Sequence, residues 1–307
     1  MTFNQEKNLT IIVLAYNSLK VIKSCLENLN FEKYKVVVVD NASKDGTVEF
    51  VRKNFSKAQI IELPKNIGYG NGNNAALKDV KTEFALILNP DAMMFEKDIE
   101  TVLGVMKKNP QVAMAGPMVL DKYPFDQGEF DEKLAHMNHD LETIKDGHYE
   151  KIDGNFSVRF LIGAALFMKI SVIQKIGFFD KEIFLYYEDD ELCGRVRANG
   201  YDNFVVPSAM AFHIGGGGKS SGSSLKVTYK KSWHLTWSKM HWKDLRKGKL
   251  RAKRSAFKFV LVYLVKSLVF ALRFDLEKTV KNLGACAGAA AFFLGLGAFD
   301  KNGNSRG

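Results

Sequence analysis

Cysteine is scarce in this chain of 307 residues: Cys25, Cys193 and Cys286 are the only three, and they lie far apart. No two stand at metal-ligand or redox spacing. This excludes a disulfide framework and a cysteine metal site, and points to a reduced, cytosolic chain. The amino-terminal MTFNQEKNLT has no basic stretch leading into an apolar one, so no signal peptide is expected. There is no internal repeat and no long low-complexity tract, which argues against solenoid and disordered classes.

What remains is enough for a packed core, with 46% hydrophobic and 25% charged residues. The net charge of +10 is unevenly placed. Residues 226–283 hold 16 Lys and Arg against 3 Asp and Glu, a local net of +13, which leaves the rest of the chain at −3. The basic character therefore belongs to the carboxyl-terminal part and needs an explanation of its own.

The first hundred residues alternate between two patterns. Residues 10–16 (TIIVLAY), 35–40 (KVVVVD), 59–63 (QIIEL) and 84–89 (FALILN) read as strands. Residues 21–29, 47–55 and 73–80 read as helices between them. Strands apolar throughout, separated by helices, indicate a parallel sheet covered on both faces, an α/β Rossmann-like architecture. In such sheets ligands gather beyond the carboxyl ends of the strands, which directs attention to residues 15–18, 40–46, 65–74 and 89–92. Further on, residues 112–119 suggest a strand, 123–149 a polar excursion or lid, and 160–169 another apolar segment. Residues 191–199 suggest a helix closed by Gly200, and 204–207 a strand. The run GGGGKSSGSS at 215–224 is the best boundary. It divides the chain into residues 1–222 and a helical region, 223–307.

Four segments carry the residue types that chemistry needs. Asp40 ends a buried strand in DNASKDGT, where its carboxylate can accept hydrogen bonds from a nucleobase; Ser43 or Asp45 caps the next helix. The run NIGYGNGNN at 66–74 allows close backbone approach to a ligand or forms a plain loop. It does not follow the first strand, so the dinucleotide fingerprint does not apply. In Asn89-Pro90-Asp91-Ala92, proline stops the ladder and presents Asp91 at the sheet edge. Mg2+ or Mn2+ typically takes one or two such carboxylates and completes its shell with phosphate oxygens and water. In YYEDDELC, four consecutive carboxylates raise one another's pKa, as a general base requires. They also suit a helix amino terminus, with Asp190 and Glu191 in its first turn and Glu188 or Asp189 facing the cleft. His213, ending a strand-like segment, is either structural or a metal ligand.

Taken in order, TIIVLAYNS, VVVVDNASKDGT, NIGYGNGNNAAL, LILNPDA, FLIGAALFMK, GFFDKEIFLYYEDDELCGRVRANGY and AFHIGGG resemble family 2 glycosyltransferases of the GT-A fold, in particular the rhamnosyltransferase-like branch. The resemblance spans residues 9–218. It implies that Asp40 contacts the nucleobase with Ala15 and Asn17 beside it, and that Asn66, Gly68, Asn73 and Asn89 belong to the donor site. Asp91 takes the metal-binding position of the family's DxD motif, and Asn89 replaces the first acid, leaving fewer carboxylates for the metal. Asp189 matches the catalytic base, with Asp190 beside it, and His213 matches a histidine that helps hold the metal and diphosphate. The implied reaction inverts the anomeric carbon of a nucleoside-diphosphate sugar and needs a divalent metal, Mn2+ or Mg2+. Rhamnose from a thymidine diphosphate donor is indicated, with UDP- and GDP-linked sugars open. The implied acceptor is a glycan or a polyprenyl-linked glycan of the cell envelope.

After the boundary, Tyr229, Trp233 and Trp237 recur at steps of four and read as packing against the catalytic part. In residues 255–274, Lys258, Lys266 and Arg273 share one helical sector with Arg251, opposite Phe, Leu and Val. This describes a helix lying on an anionic membrane surface, peripheral to the inner face of the cytoplasmic membrane. Nucleic acid is not the expected partner, because bulky apolar residues face away from the charges. Two other functions compete. A nucleotidyltransferase would want a glycine-rich loop with Arg or Lys after the first strand, where Ala15-Tyr16-Asn17-Ser18 stands instead. A decayed sugar-nucleotide binding module would not be expected to keep the acids from Glu188 to Glu191.

Overall fold

The computed structural model describes residues 7–120, 151–152, 154–213 and 224–307. The excursion expected at 123–149 and the boundary expected at 222/223 lie outside these residues.

The first strands form as read: β1 (Leu9–Ala15), β2 (Lys35–Asp40), β3 (Gln59–Glu62) and β4 (Phe84–Leu88). They pair in parallel in the order β3-β2-β1-β4. The apolarity of β1, β2 and β4 follows from burial on both sides, whereas the edge strand β3 is only partly buried. In β1, Leu9, Ile11, Val13 and Ala15 enter one core, while Ile12 and Leu14 enter the other. Side chains alternate faces along a strand, so a sheet covered twice needs apolar residues at every position. Helices α1 (Ile22–Glu27), α2 (Thr47–Asn54) and α3 (Tyr69–Leu77) connect these strands.

The sheet then becomes mixed. The short β5 (Ala92–Met93), helix α4 (Glu96–Lys108) and β6 (Val112–Leu120) are followed by β7 (Lys151–Ile152), β8 (Asn155–Ser157) and β9 (Ala165–Lys169). After α5 (Ile170–Ile176) and α6 (Glu188–Ala198) comes the long β10 (Asp202–His213). Strand β9 runs antiparallel between β4 and β6, and β10 is parallel to β6. The expected mostly parallel sheet therefore holds for β3-β2-β1-β4 and for the β6–β10 pair, with β9 reversed between them. Helix α6 begins at Glu188, three residues before the expected start, so all four acids occupy its first turn.

Three helices complete the chain: α7 (Leu225–Lys247), α8 (Lys249–Leu272) and α9 (Leu276–Phe293). Trp233, Trp237 and Met240 of α7 are buried with Ala252 and Ala256 of α8 and with Ala291 and Phe292 of α9. The aromatic stripe read in the sequence is thus core. Backbone contact between α7 and α9 depends on Gly284 and Gly288, where a β-carbon would run into the carbonyls of Tyr229 and Trp233. The three helices also dock on the sheet domain. Ser238 donates to the Leu185 carbonyl (2.8 Å), His241 pairs with Asp180 (2.9 Å), and the Phe184 ring lies 4.4 Å from that of His234. On α8 the inward positions are small: Ala252, Ala256 and Ser267 are buried. Phe257, Leu261, Leu264, Val265, Leu268 and Leu272 are exposed. This apolar stripe lies between the inward face and the row of Arg251, Lys258, Lys266 and Arg273. The helix is long and apolar enough to cross a membrane by length and composition, with a mean hydropathy of 1.8, and only 11% of that window is buried.

Two glycine substitutions, one in the terminal-helix packing and one in α4, are expected to act in opposite directions. Gly288→Leu is expected to push α9 off α7 and to cost about 1–3 kcal/mol or more in chemical denaturation. Gly104→Ala, in the middle of α4 where an added methyl meets nothing within 4 Å, is expected to stabilise by about 0.5–1 kcal/mol.

Candidate active site

The carboxyl ends of β1, β2 and β4 meet the first turns of α3 and α6. Asp40, opposite Ala15 in the β1–β2 register, is buried. Its Oδ2 accepts the Ser43 N–H at 2.9 Å, whereas its Oδ1 is buried without a hydrogen-bond partner. A buried carboxylate oxygen left bare is costly unless a ligand donor completes it. The neighbouring residues are held by one another. Asn17, at φ +51°, receives the Lys44 N–H on its Oδ1 and donates its own N–H to Ser43 Oγ. The expected side-chain cap is not formed: Gly46 stands at the N-cap of α2, and Asp45 instead accepts the N–H of Thr47 and of Leu19, tying the start of α2 to the loop after β1. Ala42 also has a positive φ, +67°. Left-handed non-glycine residues are strained and concentrate where ligands bind.

The glycine-rich run is neither a plain loop nor an open cradle. Helix α3 starts at Tyr69 rather than near Asn73 and takes in most of it. Gly68 (φ +89°) is needed because a β-carbon would strike the Phe184 carbonyl; Gly70 and Gly72 are needed because theirs would meet Phe179 at 2.9 Å and Leu14 at 2.5 Å. Asn73 is 0% exposed and donates to the Tyr69 carbonyl. Its Oδ1 is buried without a hydrogen-bond partner. Asn66 uses its Oδ1 to accept from Asn41 Nδ2 (3.1 Å) and Gly68 N (2.9 Å). Asn41, missed in the sequence, also receives the Ile67 N–H and donates to the Gly68 carbonyl. Asn71 and Asn74 clasp the 179–181 segment. Much of the amide-rich run thus builds the site wall.

Across the sheet, Asn89 closes a turn, receiving Ala92 N on its carbonyl and donating its N–H to the Ala164 carbonyl. The β5–β10 register pairs Ala92 with His213. Asp91 Oδ1 and His213 Nε2 consequently stand 3.1 Å apart. That separation is close to the edge of an octahedral shell of metal–ligand bonds near 2.1 Å, about 3 Å. Among the described residues no group of three or more His, Cys, Asp or Glu is placed to hold a metal. A carboxylate and an imidazole in adjacent positions suit a cation whose remaining ligands come from phosphate and water.

The acids of α6 are held apart chemically. Glu188 is buried, its Oε2 has no partner, and burial followed by the charge of Asp189 pushes its pKa up to about 8. Asp189 Oδ2 accepts the Gly163 N–H at 3.1 Å, and its Oδ1 accepts the Asp190 N–H at 2.9 Å. Burial raises its pKa, and these backbone donors oppose the rise. Asp190 is raised by burial and drawn back by Arg246, Trp242 and Arg159. The Trp242 indole N–H lies close enough to affect Asp190 but closes no well-formed hydrogen bond. Glu191 turns away, forming a fork with Arg195, whose guanidinium also donates to the carbonyls of Ile176, Gly177 and Phe178. Tyr186 and Tyr187, just before α6, both have positive φ, +69° and +68°.

Tyr69 joins the two sides. Its hydroxyl donates to the Gly163 carbonyl at 2.6 Å. Its pKa is raised well above the ordinary value by burial, then by the charges of Glu188 and Asp189, with Asp91 adding to them. Asp91 and Asp189 therefore lie within electrostatic reach of one side chain. Asp40 connects through Asn41, which is bonded to the carbonyl of Gly68 next in sequence to Tyr69. Tyr69, Gly163, Tyr186 and Tyr187 lie within motifs read in the sequence but were given no role there, and Trp242 and Arg246 belong to no motif.

Residues 10–177 match the model of the family described as Glycosyl transferase family 2. A 209-residue stretch is 22% identical to the Mycobacterium tuberculosis N-acetylglucosaminyl-diphospho-decaprenol L-rhamnosyltransferase, covering 58% of this chain and 66% of that one, just under two thirds of the relative's length. Over 219 residues the chain is 25% identical to rhamnosyltransferase WbbL of Escherichia coli, covering 66% and 82%. Two solved structures share the fold. The mannosyltransferase PcManGT from Pyrobaculum calidifontis, in complex with GDP-Man and Mn2+, superposes with a TM-score of 0.56 at 19% identity, covering 94% of this chain and 87% of that one. Staphylococcus aureus TarS 1-349 with UDP-GlcNAc gives 0.51 at 16% identity, covering 94% and 92%. The architecture is thus the GT-A type that the sequence motifs implied.

Glu188 has a signature in stability. Its folded pKa lies above that of an unfolded glutamate, so its contribution is fully present below about pH 4.5 and is lost as pH rises towards about 8. Unfolding free energies of wild type minus Glu188→Gln, measured across this range, are expected to fall with rising pH and level off above it. A flat difference contradicts a buried, proton-holding Glu188.

Proposed function

The chain belongs to glycosyl transferase family 2, and from that premise we propose an inverting, metal-assisted transfer of a sugar from a nucleoside diphosphate to a hydroxyl of a glycan or polyprenyl-linked glycan. That it is a glycosyltransferase follows from the family. The finer reading rests above all on one observation: the Gly163 N–H fixes Asp189 at 3.1 Å, and the next residue, Ala164, accepts at 2.9 Å the N–H of Asn89 in the turn that carries Asp91.

In this reading the bare Oδ1 of Asp40 accepts from the nucleobase, with Ala15 and Asn17 along its edge and Asn66, Gly68 and Asn73 holding the wall behind it. Asp91 and His213 would hold Mn2+ or Mg2+, with Asn89 in the same turn as Asp91. A cation bound there supplies charge that offsets the build-up on the departing diphosphate. Asp189 takes the proton from the acceptor hydroxyl as the new oxygen–carbon bond forms and the bond to the diphosphate breaks on the opposite side, which inverts the anomeric centre. Asp190 sits beside it at the acceptor edge. Burial favours the neutral form of each acid, and this keeps Asp189 basic enough to accept that proton. Rhamnose is the proposed sugar, in keeping with the names of the relatives. The nucleotidyltransferase and decayed-module alternatives gain no support from this acid arrangement.

Residues 223–307 are proposed to lay α8 on an anionic membrane at the cytoplasmic side. The exposed apolar stripe enters the headgroup region, and Arg251, Lys258, Lys266 and Arg273 meet phosphates at its edge.

Asp189→Asn is expected to lower kcat by about 10²–10⁴ while nucleoside-diphosphate binding, read by thermal shift with Mn2+, persists. Asp40→Asn should lose the nucleotide-induced shift itself. Wild-type turnover by Asp189→Asn removes that residue from the role of base. Sedimentation with phosphatidylglycerol vesicles tests the membrane reading: Lys258→Gln with Lys266→Gln should weaken binding, and vesicles of neutral lipid should bind little.

A further inference from the structure

Arg246 stands outside the stretch that matches the family, near the carboxyl end of α7, yet it reaches the acid cluster. Its guanidinium carbon lies 4.7 Å from the centre of the Trp242 ring. One of its terminal nitrogens lies over Gly194 on α6, 2.4 Å from where a β-carbon of that residue would stand, a clash the arginine could relieve by shifting its tip. The side chain is nonetheless exposed. Among the described residues it closes no hydrogen bond or ion pair, and neither does Arg159, the second arginine acting on Asp190. A guanidinium stacked on an indole, with unspent donors open to solvent, is placed for bidentate binding of a phosphate.

Position reinforces this. One residue, Gly248, separates α7 from α8, the helix with the exposed apolar stripe. Arg246 therefore lies where the chain passes from that stripe to the candidate base. An acceptor sugar carried on a lipid diphosphate needs this order of contacts: lipid beside the apolar helix, diphosphate next, and the attacking hydroxyl one sugar ring further on.

We propose that Arg246, stacked on Trp242 and accompanied by Arg159, forms a diphosphate subsite for a prenyl-diphosphate-linked acceptor, separate from the donor's diphosphate. The proposal rests on the transferase reading above and adds the residues that select a charged acceptor. Arg246 acts by binding, not by moving the proton.

The test uses the full chain saturated with Mn2+ and whichever nucleoside diphosphate stabilises it, so that the donor site is filled. Farnesyl diphosphate is then titrated in detergent and followed by tryptophan fluorescence, to which Trp242 contributes. Binding is expected in wild type, weakened about tenfold or more in Arg246→Gln and measurably in Arg159→Gln, with Arg246→Lys intermediate because it keeps the charge and loses the fork. Farnesol should bind no better to wild type than to the variants. Inorganic pyrophosphate should show the same dependence on Arg246 at lower affinity. Unchanged farnesyl diphosphate affinity in both glutamine variants overturns the subsite. An equal loss towards phosphatidylglycerol micelles also overturns it, by reducing the arginines to a general membrane contact. Nucleoside-diphosphate binding is read separately, so failure there counts against the transferase reading, and failure here against the subsite alone.

Discussion

The site depends on one close backbone approach. The Tyr69 N–H donates to the Phe184 carbonyl at 2.9 Å, and Gly68 has no β-carbon in the way. This contact joins the start of α3, which belongs to the nucleotide side, to the segment leading into the acids of α6. Asn71 and Asn74 repeat the attachment with hydrogen bonds to the 179–181 segment. Without it, Asp40 and Asp189 would belong to two halves of the sheet with no fixed relation. A displacement of about an ångström at such a joint can remove much of the rate advantage gained from positioning.

Four carboxylates in one helical turn would repel one another if all were solvated alike, and the structure gives each a different environment. Glu188 is buried and holds a proton, Asp189 is fixed by two backbone N–H groups, Asp190 faces arginines, and Glu191 is committed to Arg195. The α6 amino terminus also favours negative charge over its first turn. Separate environments of this kind are how neighbouring acids acquire different roles. Arg195 binds three successive carbonyls, of residues 176–178, and so anchors the approach to the same turn.

Much of the fold was legible because a strand buried on both faces has to be apolar along its whole length; β1, β2 and β4 came out within a residue of their limits for that reason, and the edge strand β3 was marked by Ile60 and Ile61 alone. The acids were legible as well, since consecutive carboxylates among aromatics have few structural uses. The glycine-rich run misled. Glycine that admits a ligand and glycine that admits Phe179 or Leu14 look the same in one dimension, and Gly70 and Gly72 mark packing. Helices α4 and α5 were not read from the sequence. Trp242 and Arg246 were unreadable as site residues, because their relation to Asp190 exists only through the docking of α7, with no local pattern to announce it.

That docking also bears on how this architecture can be recombined. Ser238 grips Leu185 and His241 grips Asp180, so the seam between the sheet and the terminal helices runs through the acidic loop itself. A chimera that borrows α7–α9 from another member, with its breakpoint in the glycine-rich stretch, would replace one side of the seam and keep the other. Functional exchange would require residues 178–190 to travel with the helices, which makes the acid loop and its carboxyl-terminal support a single heritable module.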